Sequence, residues 1–567
     1  MIERGLKWYE WQELYVDKLL TPLTITFAEV ATHNHFVLDR GGKVFNRTAP
    51  VIKLPADATE DDHLALLGLL NSSTACFWMK QLCFPKGGDH VGQEGARLRR
   101  SLWDERYAFN GTNIERLPVP SAKPIATTKH LYQLSQQLLS LTPQAIVTQR
   151  RKVAKGNASI LASFAPLREI LSSAREQWAA IRQQMIAGQE NLDWECYKLY
   201  GLVDEALTES TAESSGFPIS LGQRAFEIVL ARKIAAGEAH STWFERHGLT
   251  AITELSSDWP EHYKKLVERR IGLIENDPNI RLIEQPEYKR RWNTEPWESQ
   301  LERALREWLL LRLETYFDFD GRMSDLTHRR EGAKDETSEL SAFAPLREIS
   351  IYSVTQLADS ARRDSQFMEV GELYRDDSAF DVQSLVEELV LAESVPHLPI
   401  LRYKDSGLRK RAEWEKTWDL QREEDRHLSL VTGHSSLAND KGQMTNDLPP
   451  IPVPPKYTSA DFISTGGARY WSLRGKLDVP KERWISFPHC EGPDGTLVIC
   501  WAGYDHLQQA QAISAYYVRV QTEFGGSDDP RLIPLLASQG ADRLRCNLWL
   551  TIIATPQINR IRPHCVC

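Results

Sequence analysis

Between residues 85 and 120 the chain reads PKGGDHVGQEGARLRRSLWDERYAFNGTNIERLPVP. Lys86, Arg97, Arg99, Arg100 and Arg106 alternate there with Gln93, Asn110, Thr112 and Asn113. Ammonium and guanidinium groups neutralise phosphates, an arginine fork fits the guanine edge, and Asn or Gln amides match the adenine edge. Glycines at 87, 88, 92 and 95 would let backbone approach a groove closely. A segment of this composition reads either as a nucleic-acid contact or as a solvated basic loop with no ligand. A second basic cluster, Lys289-Arg290-Arg291-Trp292, is flanked by Glu284, Glu287 and Glu295 and reads as an exposed helix face. Trp194, Tyr197 and Tyr200 stand at helical spacing and read as core.

Other chemistries leave no motif. The sequence has no G-x-G-x-x-G after a strand, no G-x-x-x-x-G-K-[ST], no H-E-x-x-H and no G-x-S-x-G. His489-Cys490 with Cys500, and His564-Cys565 with Cys567, lack the paired spacing of a structural zinc site. Buried or idle thiols are the expectation for them. No catalytic, cofactor-binding or metal-binding residue is therefore assigned.

Hydrophobic patterning sets the framework around the basic loop. Residues 25–54 are rich in β-branched and aromatic types, and Asp39-Arg40-Gly41-Gly42 punctuates them as a hairpin turn would. Next comes LALLGLLNSSTACFWMKQLC, residues 64–83. Asp61-Asp62 open a first helix, and the oxygens of Asn71 to Thr74 can cap a second one. Two short apolar helices can clamp a small sheet where one long helix could not; a single helix with a polar interruption is the alternative. The basic loop is expected to end in a proline-flanked strand. Residues 128–140, 164–202, 220–240, 259–316 and 379–425 carry helical spacing, with Gly201 as a C-cap. Beyond a polar and then proline-rich stretch, RYWSLRGKL, RWISFPHC and TLVICWAG read as strands before one helix. FAPLREI occurs at 164–170 and again at 343–349, but the flanks differ, so it is not a structural repeat.

The expected class is α+β and multidomain: a small mixed α/β recognition domain, a predominantly helical middle and a small α+β C-terminal domain. The boundaries are 1–125, a helical spacer 126–210, a helical domain 211–426, a linker 427–456, the small domain 457–536 and an atypical tail 537–567. A length of 567 residues suits several domains. Residues 1–155 hold 20 Lys and Arg against 15 Asp and Glu, leaving 48 against 62 for the rest. A polyanion would therefore meet the N-terminal part first. No apolar run reaches the ~20 residues of a membrane span, and MIERGLKWYEWQEL is too charged for a secretory signal. Eight scattered cysteines suit a reducing compartment, so a cytoplasmic protein without a membrane partner is expected.

Two groups of segments point further. Residues 28–120 resemble the target-recognition region of large bacterial adenine-specific DNA methyltransferases, and LDWECYKLYGL at 192–202 resembles the helix that follows it. EQPEYKRRWNTEPWE (284–298), PILRYKDSGLRKRAEWEKTWDLQREED (399–425) and YWSLRGKLDVPKERWISFPHCEGPDGTLVICWAGYDHLQQAQAI (470–513) are similar to the PglX family of such enzymes, which belongs to BREX-type phage-exclusion systems. The resemblance covers roughly 20–536. It implies double-stranded DNA as partner, S-adenosylmethionine as the family's cofactor, and contact with other phage-defence proteins. The family's glycine-rich cofactor loop and its Asn-Pro-Pro-Tyr motif have no counterpart; Pro454-Pro455-Lys456-Tyr457 lacks the Asn. The resemblance is thus to the recognition and C-terminal half, with a missing or separately encoded catalytic domain as a further partner and no cofactor held in this chain. On it, Lys86, Arg97, Arg99 and Arg100 become the DNA-contact candidates, with Gln93, Asn110, Thr112 and Asn113 beside them. A non-catalytic scaffold of a defence complex is the other reading.

Overall fold

The computed structural model describes residues 21–41, 43–46, 48–86, 102–155, 166–209, 217–292, 294–317, 350–433 and 451–538. It is α+β with helix predominating, and it divides into two compact units, 13–301 and the described residues from 302 onward.

The first unit opens with β1 (Thr24–Phe27), β2 (Val30–Ala31), β3 (Phe36–Asp39) and β4 (Val51–Ile52). The main sheet runs β3-β1-β4, with Thr24 opposite Asp39 and Ile25 opposite Ile52. Asp39 to Gly42 therefore does not close a hairpin. Gly41 takes φ +94° and donates its N–H to Asp39 Oδ2, but the chain then crosses to the far edge of β1. The turn residues specify a local reversal, whereas the pairing depends on which edge of β1 is left open.

Helix α1 (Glu60–Leu70) starts from a Thr59–Asp62 capping box, and α2 (Ser73–Leu82) starts from Ser72, whose Oγ accepts the Ala75 N–H at 3.2 Å. The polar break between them also holds the sheet. Asn71 Nδ2 donates to Phe36 O and Leu67 O, its Oδ1 accepts the Phe36 N–H at 3.1 Å, and Asn34 Nδ2 donates to Leu70 O and Ser72 O. Leu64, Leu67 and Leu70 of α1 then close over Ile25, Phe36 and Leu38. Asn71→Ala orphans both main-chain groups of Phe36 and is expected to cost about 2–3 kcal/mol, read from urea unfolding.

Strand β5 (Tyr107–Ala108) pairs with β2, and α3 (Gly111–Ile114) comes at once after it. The strand expected at the end of the basic loop is thus this single helical turn, because Asn110 Oδ1 caps the Asn113 N–H at 2.9 Å and Pro118 and Pro120 have no N–H for a ladder. Next come α4 (Ile125–Ser140), α5 (Pro143–Lys155) and α6 (Leu167–Leu199). Gly188 lets α4 approach α6: a Cβ there would lie 2.8 Å from Leu131 Cδ2. The α6 helix ends at Tyr200 with Gly201 at φ +70°, as its position predicts, and Leu202 N–H returns to Tyr197 O. Trp194 and Tyr197 are fully buried. They join Phe226 of α7 (Ala225–Ala235), Trp243 of α8 (Trp243–His247) and Ile271 of α9 (Glu261–Asn276) in one core, with α10 (Pro278–Ile283) beside it.

The second unit takes in α11 (Trp297–Thr315) from residue 302, then β6 (Tyr352–Ser353), α12 (Val354–Arg362), α13 (Ser365–Arg375), α14 (Val382–Glu393) and β7 (Ser394–Pro396). It continues with α15 (Asp405–Gly433), α16 (Gly467–Arg474), β8 (Trp484–Ser486), β9 (Val498–Trp501) and α17 (His506–Arg519). The sheet order is β6-β9-β8-β7, with β7 parallel to β8. Half of this sheet therefore comes from upstream of the proline-rich stretch. RYWSLRGKL, expected as a strand, is mostly helix α16, in which Tyr470, Leu473 and Arg474 are buried at spacings of three and four. RWISFPHC and TLVICWAG supply β8 and β9 as read. Residues 427–433 complete α15, while 434–450, the second FAPLREI and the tail from 539 lie outside the described residues. No described helix is long and apolar enough to cross a membrane.

Candidate nucleic-acid interface

The basic loop leaves from Lys86 and returns at residue 102 on a built stem. Lys86 N–H donates to Arg106 O at 2.8 Å, Ala108 N–H donates to Phe84 O at 3.0 Å, and Pro85 bridges to Tyr107. Trp103, 6% exposed, anchors the returning end in the helical core, edge-on to Trp243 at 5.4 Å.

Of the contact candidates, Lys86 is exposed at the stem, with Glu29 Oε1 3.9 Å from its Nζ. Asn110, Thr112 and Asn113 stand together on α3. Asn113 donates to Leu82 O at 3.0 Å, so its amide ties α3 to the end of α2 while Asn110 serves as the cap. Thr112 faces solvent. Gln93, Arg97, Arg99 and Arg100 lie outside the described residues.

The structure brings a second set of cations to this stem. Lys289-Arg290-Arg291 is not an exposed helix face: it lies in irregular chain that follows a turn after α10, and Lys289 is completely buried. Arg291 pairs with Asp104 at 3.2 Å, donates to Thr32 Oγ1 and stacks over Trp103 at 5.4 Å. Arg290 donates to His35 Nδ1 at 3.1 Å. Lys80 donates to Glu287 O at 2.7 Å and sits over the Tyr107 ring at 5.0 Å. Burial, and after it the Arg290 and Arg291 charges, pushes His35 down to about 4. Burial and then Lys80 hold His33 well below its ordinary value. The cations that reach the stem are Arg291, paired with Asp104, and Lys80, over the Tyr107 ring. The signal was present as KRRW, but its acidic flank suggested solvation. Glu284 is instead the partner of Lys289.

Beneath that face lies a buried ionic knot. Lys289 Nζ meets Asp193 Oδ2 at 2.8 Å, Glu284 Oε1 at 2.9 Å and Glu190 Oε1 at 3.1 Å. Asp193 also accepts the Ser73 N–H at 2.8 Å and Ser73 Oγ at 2.6 Å; Glu284 accepts the Tyr197 hydroxyl at 2.6 Å. The knot thereby joins α2, α6 and the segment that follows α10. Burial would lower the Lys289 pKa, but Asp193, Glu190 and Glu284 together raise it. Glu190 is pushed up to about 7 by burial, against the pull of Lys289.

That shift has a sign. A carboxyl whose folded pKa exceeds its unfolded value favours the folded state below the unfolded pKa, and the advantage disappears as pH rises towards 7. Stability of this unit is therefore expected to fall between about pH 4.5 and pH 7 through this group, by up to ~3 kcal/mol. Glu190→Gln should flatten that slope and raise the unfolding midpoint at pH 8, measured by urea titration at both ends of the range.

A cavity of about 350 Å³ opens between β3, α1, α4 and α6, lined by Phe36, Leu67, Leu131, Tyr132, Leu192 and Trp292. Its lining is mostly apolar, so it offers little to a phosphate.

Comparisons with known proteins extend this picture. A family model described as "Domain of unknown function (DUF7008)" matches residues 185–545. The chain is 44% identical over 515 residues to the adenine-specific methyltransferase PglX of Streptomyces coelicolor, a match covering 90% of this chain and 38% of that protein. The chain thus spans well under half the length of that relative. No solved structure matches.

Proposed function

This chain belongs to the DUF7008 family, and from that membership with its likeness to PglX we propose that it is the DNA-reading portion of a site-specific adenine-N6 DNA methyltransferase in a bacterial phage-defence system. The observation that carries the reading is the 44% identity over 90% of the chain to a protein named as an adenine-specific methyltransferase. Exposed Lys86 at the loop stem, with Lys80 and Arg291 beside it, is in keeping with that reading.

Methylation at adenine N6 requires the base to leave the stack. In this reading a separate catalytic region turns the base out, while this chain holds the duplex. Lys86, Arg97, Arg99 and Arg100 neutralise backbone phosphates and read major-groove edges, each good bidentate contact adding about 1–3 kcal/mol of discrimination. Gln93 and Thr112 add polar contacts, and Asn110 and Asn113 fix the turn from which Thr112 projects.

The methyl donor would be S-adenosylmethionine. The residues present do not fit it: among the described residues the one parallel strand pair is β7–β8, and each strand runs into a proline-containing segment rather than a glycine loop and helix. Other defence proteins are the further partners.

Duplex DNA and S-adenosylmethionine titrated separately into the purified chain would test the assignment. Binding of DNA without binding of the donor is expected. Co-purification with other proteins and no retention on DNA would instead make the chain a scaffold.

A further inference from the structure

The second unit holds a cavity of about 200 Å³ that the DNA reading leaves unused, where Arg402, Arg411 and Arg474 face Asp478 and Glu482. The charges there are unevenly matched. Arg474 engages both carboxylates, bonding Glu482 and lying 3.5 Å from Asp478, while Arg411 Nε turns to Glu415 at 2.9 Å. Arg402 is 3% exposed, yet among the described residues its guanidinium makes one hydrogen bond, from Nη1 to Pro396 O at 3.4 Å, and lies over the Tyr403 ring at 4.8 Å. Its Nε is buried without a partner, and so is that of Arg474. Burial and then the charge of Arg402 lower the Arg474 pKa, so two guanidinium groups face one small space with like charge. Buried donors of this kind are costly unless paired. Planar guanidinium forks suit tetrahedral oxyanions.

We propose that this cavity binds a small oxyanion of the phosphate class, held between Arg402 and Arg474 with Arg411 at its side. The volume accommodates one phosphate group with ordered water, at about 30 Å³ per water, and excludes a duplex. An anion at this position would supply acceptors to the orphaned Nε donors and separate the two like charges. The site lies in the second unit and does not depend on the DNA reading.

Calorimetric titration of the full chain at low ionic strength tests this, with inorganic phosphate in one arm and adenosine 5′-monophosphate in the other. Saturable binding at one site per chain is expected, with a Tm that rises with ligand concentration. Tighter binding of the nucleotide would assign the site to a phosphomonoester, and equal binding to the free ion. Arg402→Gln should weaken binding at least about tenfold while leaving the unliganded Tm unchanged or higher, because it removes the least-paired charge. Arg411→Gln gives the same readout with a smaller loss, and it serves if Arg402→Gln does not fold. Phosphate binding no tighter than chloride, or folded variants that bind like the parent, would overturn the proposal.

Discussion

Lys289→Met is expected to destabilise the 13–301 unit by about 3–5 kcal/mol, the range for removing one partner of a buried ion pair. The side chains have similar volume, so the loss is electrostatic rather than a cavity effect. Lys289 Nζ is within 3.1 Å of Glu190, Asp193 and Glu284, and it is fully buried. Without it, Asp193 keeps Ser73 and Gln189 as donors, and Glu284 keeps Tyr197. Glu190 has a second oxygen that is already unpaired and buried. It should take up a proton, so the destabilisation should be smaller at pH 5 than at pH 8. Adding Glu190→Gln should recover part of the loss at pH 8 and little at pH 5. Urea unfolding of the single and double variants at the two pH values separates this from a simple packing defect.

Replacing Arg97, Arg99 and Arg100 together by Gln is expected to weaken duplex binding about a hundredfold at low salt, taking roughly 1 kcal/mol per contact from the lower end of the range for arginine–base pairs. Each of the three that contacts a phosphate instead of a base edge should make the slope of log K against log salt shallower by about one unit. The unfolding midpoint should not move, because Trp103 and the Pro85–Tyr107 bridge hold the described stem. Anisotropy titration of a labelled duplex at several salt concentrations measures both quantities.

Much of the local structure was legible because the residues concerned act on their own neighbours. The Asn71–Thr74 break reads correctly because Ser72 must cap the second apolar helix, and Gly201 ends α6 because a left-handed residue is needed there. The features that were not legible depend on partners distant in sequence. Asp39 to Gly42 looks like a hairpin turn, but β4 chooses the other edge of β1. RYWSLRGKL has strand-like composition, yet burial of Tyr470, Leu473 and Arg474 on one face selects helix. Lys289 looks solvated among its acidic neighbours until α6 brings Glu190 and Asp193, about a hundred residues away, against it. The basic composition of 85–120 was visible, but residues 87–101 lie outside the described residues. The supporting cations, Lys80 and Arg291, were not visible, because only the fold carries them to the stem.

Duplex binding by the full chain, measured as a function of salt, decides whether this is a DNA-reading chain. If the clamped arginine loop grips phosphates, binding is detectable at low salt and log K falls with log salt at a slope of about −3 or steeper. A chain that does not bind duplex at low salt, or whose binding is indifferent to salt, would contradict that role.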